Sequence, residues 1–353
     1  MEPLTRIQKF QKLFPNEPLY RLKQIELALF ASQNQEWDHV TNLPKKLLQA
    51  MKKNIEWQGV SLDKIFKNSV GNTHKAVLTC KDGYKFETVL MQNRKDDWTI
   101  CVSSQIGCAM QCNFCATGTM GIKRNLTSDE IVDQYRFWNR YLVNASQETI
   151  SQEPERISNI VFMGMGEPLA NYENVRDAVN RLLASTDVGP TKITVSSVGI
   201  LHQLEKILRD PEWPHVRLAV SLHAPNDTVR KSIVPTSAPN FMEKVARWAK
   251  AYLRILGNRK HHLTFQYILL AGVNDSVDNA RELAEFVNAI GHVKVNVIPY
   301  NSVSDKEFKR SSDEVINAFK LTLREKGVQV SQRKTMGDDI NAACGQLVYK
   351  NEK

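Results

Sequence analysis

Residues 159–197, NIVFMGMGEPLANYENVRDAVNRLLASTDVGPTKITVSS, carry the pattern that decides the fold. An apolar, β-branched run over 159–164 gives way, after Gly166-Glu167-Pro168, to helical spacing over 172–185 and then to a second such run over 192–197. Strand, helix and strand at this spacing make a βαβ unit, which requires a parallel sheet. The alternation extends both ways. Runs at 99–104, 215–222, 263–270, 292–299 and 328–333 predict further strands, and helical patterns at 127–143, 241–256, 276–290 and 311–326 fall among them. Thr127-x-x-Glu130 and Ser311-x-x-Glu314 read as capping boxes at two helix starts. The fold class is α/β, and the order of elements suggests a partial or full (β/α) barrel.

The first ninety or so residues read differently. Short amphipathic helices are expected over 18–32 and 43–54, and two strands over 74–80 and 84–91 around the turn Lys81-Asp82-Gly83. The expected organisation is a small N-terminal helical module with connecting strands at 1–90, followed by the barrel at 91–353. Lys45, Lys46, Lys52 and Lys53 repeat at a spacing of seven and share one helical face, either as a solvated surface or as a phosphate-contacting stripe.

The chain has 353 residues, with Lys+Arg 47 against Asp+Glu 38, a net charge of +9. That excess suits a nucleic-acid partner, because phosphates attract a positive surface. No apolar run is long enough to span a bilayer, and no secretory signal is evident, so a cytoplasmic setting with reduced thiols is expected.

Three of the six cysteines lie in Cys108-Ala109-Met110-Gln111-Cys112-Asn113-Phe114-Cys115. Three thiolates can hold three irons of a [4Fe–4S] cluster and leave the fourth open. An open iron can chelate the amino and carboxylate groups of S-adenosylmethionine and pass it an electron, which cleaves the sulfonium to a 5′-deoxyadenosyl radical. The alternative is structural zinc with Cys101 or Cys80 as fourth ligand, but zinc ribbons repeat a C-x2-C pair and no second pair is present. The spacing resembles that of the radical S-adenosylmethionine superfamily.

Polar residues gather at the ends of the predicted strands: Gly166 and Glu167, Ser196 and Ser197, Ser221-Leu222-His223, and Asn301. In β/α barrels those ends form the active-site mouth. Gly166-Glu167 is a candidate clamp for a ligand ammonium, glycine for close approach and carboxylate for a charge-assisted hydrogen bond. Phe114 is a candidate shelf for adenine or a core residue. Cys344, set among small residues and glycines, suits an accessible thiol, and with Cys101 it offers a redox pair should the two meet in space. Cys80, in a predicted strand, reads as structural.

Taken together the motifs resemble the RlmN/Cfr family of RNA adenine methyltransferases over nearly the whole chain. They include Tyr20-Arg21-x-Lys23-Gln24, Asp82-Gly83-x3-Glu87-Thr88-Val89, Cys101-Val102-Ser103-Ser104-Gln105-x-Gly107-Cys108, Met163-Gly164-Met165-Gly166-Glu167-Pro168-Leu169 and Ser221-Leu222-His223-Ala224-Pro225-Asn226-Asp227. Glu167-Pro168-Leu169 and Arg333-Lys334-Thr335 resemble the RlmN form more than the Cfr form, whereas Asn341 and Ser302 depart from the usual pattern.

The resemblance implies methylation of carbon 2 of adenosine 2503 in 23S rRNA, and of adenosine 37 in tRNA. The Cfr branch would methylate carbon 8 instead, and a zinc-stabilised RNA-binding protein is the alternative outside enzymes. By resemblance Cys108, Cys112 and Cys115 hold the cluster, and Gly166, Glu167, Ser196, Ser221, Leu222, His223 and Asn301 contact S-adenosylmethionine, two of which are used per turnover. Cys344 would take a methyl group from the first. The radical from the second would remove hydrogen from that methyl, and the resulting carbon radical would add to carbon 2. Glu87 would accept the ring proton, and Cys101 would attack the Cys344 sulfur to release product as a disulfide forms. A flavodoxin or ferredoxin would supply electrons.

Overall fold

The computed structural model describes residues 3–94, 97–148, 155–257, 263–303 and 306–349. Its centre is a ten-stranded sheet in the order β1 (Val60–Lys67), β2 (Thr73–Cys80), β3 (Lys85–Arg94), β4 (Asp97–Cys101), β7 (Arg156–Phe162), β8 (Ile193–Ser197), β9 (Arg217–Ser221), β10 (Leu263–Leu269), β11 (Lys294–Pro299) and β12 (Val330–Gln332). The first three pairings are antiparallel, and every pairing from β4 to β12 is parallel. A small hairpin of β5 (Gln105–Gly107) and β6 (Ile122–Asn125) flanks the cysteine motif. Among the described residues the strand order is linear, so the barrel is partial.

Parallel strands need crossovers. Helices α4 (Ser128–Glu148), α5 (Tyr172–Ser185), α6 (Leu201–Ile207), α7 (Asp227–Ile233), α8 (Phe241–Ile255), α9 (Val277–Ile290) and α10 (Asp313–Glu325) supply them. Their inner stripes form one continuous core with the sheet, as in α8, where Phe241, Val245, Trp248, Ala249 and Tyr252 are buried. The Thr127 capping box forms in both directions: Thr127 N–H donates to Glu130 at 2.8 Å and Glu130 N–H to Thr127 Oγ1 at 3.2 Å. The box expected at Ser311 does not. Ser312 caps α10 through Val315 N–H, and Ser311 Oγ donates to Asp275 at 2.7 Å instead. Two adjacent serines compete for one cap, and the neighbouring carboxylate takes the first.

The N-terminal module contains α1 (Arg6–Leu13), α2 (Tyr20–Phe30) and α3 (Lys45–Asn54) around a separate core of Phe10, Ile25, Leu29, Trp37, Leu47 and Met51. The sheet itself crosses the boundary expected at residue 90, since β3 pairs on both sides. Buried charge joins module to barrel. Arg6 grips Asp133 of α4 with two 2.8 Å bonds and reaches Asp129 at 3.0 Å. Arg136 also bonds Asp133, at 2.6 Å, and donates to the Leu29 and Trp57 carbonyls. Arg181 of α5 bridges Asp129 and Glu26.

Burial alone would raise the Asp133 carboxyl. Arg6 and Arg136 outweigh it and hold the group at about 2. Because the folded value lies below the unfolded one, this contribution is present above about pH 4 and is lost as pH falls toward 2. Arg6→Met leaves the buried carboxylates short of a partner and is expected to cost about 3–5 kcal/mol. Denaturant unfolding at pH 7 measures that loss, and the deficit of the variant should shrink as pH is lowered toward 2.

Candidate active site at the mouth of the barrel

The cysteine motif lies between β5 and β6 and packs on a small apolar cluster of Phe114, Ile233, Val234, Ile268, Leu270, Ile298 and Tyr300. Cys115 N–H donates to Cys112 O at 3.1 Å, Gln111 takes a φ of 52°, and Asn113 N–H is tied to Ile233 O. The loop presents all three thiols to a cleft of about 870 Å³ with Glu167, Ser196, Ser221, His223 and Cys344. Burial pushes the thiols up, Cys108 to about 12, so binding metal must expel protons.

The donor set fits an iron–sulfur cube better than zinc. Among the described residues, no three His, Cys, Asp or Glu side chains converge on one ion position. A cube carries its irons at separate corners and accepts thiols spread around a cleft, which a single tetrahedral ion does not.

Glu167 follows β7. Oε1 accepts Leu169 N–H at 2.9 Å and Oε2 accepts Val198 N–H at 2.7 Å. Burial pushes its carboxyl up while these bonds oppose the shift. The Ser197 side chain donates a third bond, which leaves the carboxylate with acceptor capacity for one ligand donor. Gly166 is required by its own chain. Its φ is 100°, and a Cβ there would lie 2.5 Å from Gln105 Cβ. Gly166 also lines the cleft.

Ser196 and Ser221 reach the cleft from the ends of β8 and β9. His223 has a φ of 61°, meets the Phe114 ring edge-on at 5.0 Å, and accepts Ile268 N–H on Nδ1 at 3.1 Å. That bond leaves the proton on Nε2. Burial and the nearby Arg230 push the imidazole down to about 3, so it is neutral in the physiological range. Leu222 turns its side chain into the main core and meets the site only through its backbone. Asn301 stands apart from the cleft and donates to Cys344 O at 3.2 Å.

Cys101, at the end of β4, and Cys344 line a second, small cavity that shares Cys344 and Met163 with the cleft. Glu87, on β3, lies in a third cavity of about 1130 Å³. Its carboxylate pairs with Lys75 Nζ at 2.9 Å and accepts Val348 N–H at 2.9 Å. Burial nevertheless pushes the carboxyl up, with Lys75 opposing. Cys80 is buried in the core.

Arg230, which no sequence motif singles out, is buried. It donates to Ser221 O at 2.6 Å, to Val198 O at 2.5 Å and to Leu222 O, and its guanidinium stacks 3.7 Å over Phe241. Only the pairing of one arginine with several exposed strand ends would have revealed it.

A family model described as Radical SAM superfamily matches residues 102–287. A dual-specificity RNA methyltransferase RlmN of Vesicomyosocius okutanii subsp. Calyptogena okutanii is 37% identical over 95% of this chain and 90% of its own. The chain belongs to the radical SAM superfamily and to its RlmN family. A ribosomal RNA large subunit methyltransferase N of Nitrosopumilus maritimus is 40% identical over 93% and 92% of the two chains. The crystal structure of a radical SAM methyltransferase from Sphaerobacter thermophilus superposes with a TM-score of 0.85 at 37% identity, covering 98% of this chain and 97% of that one. As a radical SAM methyltransferase, the protein uses a [4Fe–4S] cluster and S-adenosylmethionine, and the cleft cysteines are the candidate ligands. No helix among the described residues is long and apolar enough to cross a membrane.

His223 yields a pH test. Its folded value lies below the unfolded one near 6.5, so the unfolded chain gains a proton first and stability falls as pH drops from about 6.5 toward 3. Urea unfolding of His223→Gln across that range should show a flatter acid limb than the parent protein.

Proposed function

We propose that this protein methylates carbon 2 of an adenosine in RNA, adenosine 2503 of 23S rRNA and adenosine 37 of tRNA, with Cys344 as carrier of the methyl group. The observation that carries the reading is the shared cavity of Cys101 and Cys344, which opens beside the cleft of the three motif cysteines. A plain polar methyltransferase has no use for two free thiols next to a cluster site.

Cys108, Cys112 and Cys115 would hold the cluster, which would supply the electron for reductive cleavage of S-adenosylmethionine to a carbon radical. Glu167, Ser196, Ser221 and His223 line the cleft that would hold that cofactor. Gly166 and Leu222 shape it through the backbone, and Asn301 steadies the Cys344 carbonyl. Cys344 holds the one-carbon unit as a thioether. Carbon 2 of adenine is an electron-poor CH with no useful nucleophilicity, so the carbon must be delivered to it from a fixed sulfur. Glu87 then accepts the ring proton, and its Lys75 partner favours the ionised form that this role needs. Cys101 attacks the Cys344 sulfur and frees the product.

The N-terminal helices are the proposed RNA-binding module, with a cytoplasmic setting and a flavodoxin- or ferredoxin-type donor. Lys45, Lys46 and Lys53 are exposed, whereas Lys52 is engaged by Asp38.

Mass spectrometry and NMR of RNA after reaction should find 2-methyladenosine, whereas 8-methyladenosine would overturn the carbon 2 assignment. Cys344→Ala should give neither methylation nor adduct, and Cys101→Ala should trap RNA covalently on Cys344, visible on denaturing gels. Neutralising Lys45, Lys46 and Lys53 together should lower the log–log salt slope of RNA binding by about 2–3. Neutralising Lys52 alone should change it least of the four.

A further inference from the structure

The cavity shared by Cys101 and Cys344 contains a cation that the reading above does not use. Arg333 follows β12 and is fixed to the end of β11 by its main-chain N–H, which donates to Val297 O at 2.8 Å. Its side chain lines the cavity with both cysteines, and Nη1 lies 2.7 Å from Met163 Sδ. A thioether is a weak acceptor and carries no charge. No carboxylate among the described residues pairs with this guanidinium. A partly buried arginine with no carboxylate partner thus lines the cavity beside two thiols.

We propose that Arg333 is a positioning residue for the release step, its guanidinium supplying the positive charge that keeps the Cys101 sulfur nucleophilic toward the Cys344 thioether. This rests on the methyl-carrier reading above. In that step the Cys101 thiolate attacks Sγ of Cys344. The S–S bond forms as the bond between Sγ and the methylene carbon breaks. The electron pair leaves with that carbon, delocalised into the adenine ring, and a proton completes the methyl group. The two sulfurs are oxidised to a disulfide, the carbon is reduced, and no outside oxidant is needed.

The surroundings of Cys101 otherwise oppose the thiolate, which leaves Arg333 to offset them. Burial pushes its thiol up to about 12, a neighbouring Cys344 thiolate pushes further in the same direction, and Arg333 and the Met163 backbone oppose. Lys334 also lines the cavity from an exposed position, and Met91 of β3 brings no charge. A Cys344 thioether carries no charge, so Arg333 is the cation that offsets burial at Cys101 in the release step. A bare methyl thioether offers no stable leaving carbanion, so attack succeeds only when the carbon is already joined to adenine.

Arg333→Gln and Arg333→Lys test this in cluster-loaded, full-length protein under anaerobic conditions. Single-turnover reactions with labelled RNA, quenched across a pH series and run on denaturing gels, give the decay of the Cys344–RNA adduct. Arg333→Gln should accumulate adduct at neutral pH. The pH midpoint of its decay should lie about one unit above that of the parent protein, with release roughly tenfold slower below it. Arg333→Lys should recover most of the rate. Without RNA, modification of Cys101 by a small methanethiosulfonate, read by peptide mass spectrometry, should show the same upward displacement.

Release by Arg333→Gln at the parent rate overturns the proposal, as does adduct accumulation with an unmoved pH midpoint, which would assign Arg333 to packing alone. Formation of adduct by Cys101→Ala alongside either result leaves the methyl-carrier reading standing. Its absence from Cys101→Ala overturns both.

Discussion

Parallel strands that stop together leave their last amides and carbonyls without ladder partners, and burying such groups unpaired is costly. At this mouth the problem is met around Val198. Its N–H donates to Glu167 and its carbonyl accepts from Arg230, which also takes the carbonyls of Ser221 and Leu222. One buried anion and one buried cation thus finish the ends of β8 and β9 and tie them to the turn after β7. The cleft exists because side chains, rather than further strand, satisfy these groups.

That arrangement ranks the polar residues of the site. Glu167 is first a partner of the backbone and keeps acceptor capacity for one ligand donor, so its placement survives whether or not a ligand is present. Neutral His223, held by Ile268 N–H and wedged on Phe114, is a fixed wall beside the cysteine loop. Cys344 borders both the cleft and the Cys101 cavity, so the carrier role proposed for its sulfur needs no change of neighbourhood.

Much of this was legible from residue order. Each of the seven apolar runs predicted from residue 99 onward became a strand of the parallel sheet, because strands covered on both faces are continuously apolar. Strand β1 escaped notice for the opposite reason: it is an edge, and six of its eight residues are exposed, which removes the alternation that marks a strand. Helix α1 is short, and its most buried polar residue, Arg6, is inside only because two aspartates of α4 wait for it. The motif cysteines were recognisable from their spacing, and Glu167, Ser196, Ser221 and His223 from their place at strand ends. Arg230, the Lys75–Glu87 pair and the meeting of Cys101 with Arg333 were not, since each joins positions that no local pattern connects. Leu222 shows the converse: a residue inside a telling motif whose side chain serves the core.

The C-terminal segment that carries Cys344 is held by main chain and side chains together. Asn301 takes the Cys344 carbonyl, Ala116 N–H the Gly345 carbonyl, Thr117 the Leu347 carbonyl, and Val348 N–H reaches Glu87. Gly337 and Gly345 turn it at φ values of 71° and 85°, and a side chain on Gly337 would strike Thr73. Side chains fix the segment as well: Gln346 donates to Ser302 O and Asp338, Asp339 accepts from Ser69, and Ala342 and Leu347 join the main core. The thiol therefore sits on a stretch whose main chain and side chains are both committed, which leaves little latitude for sequence change on either side of it.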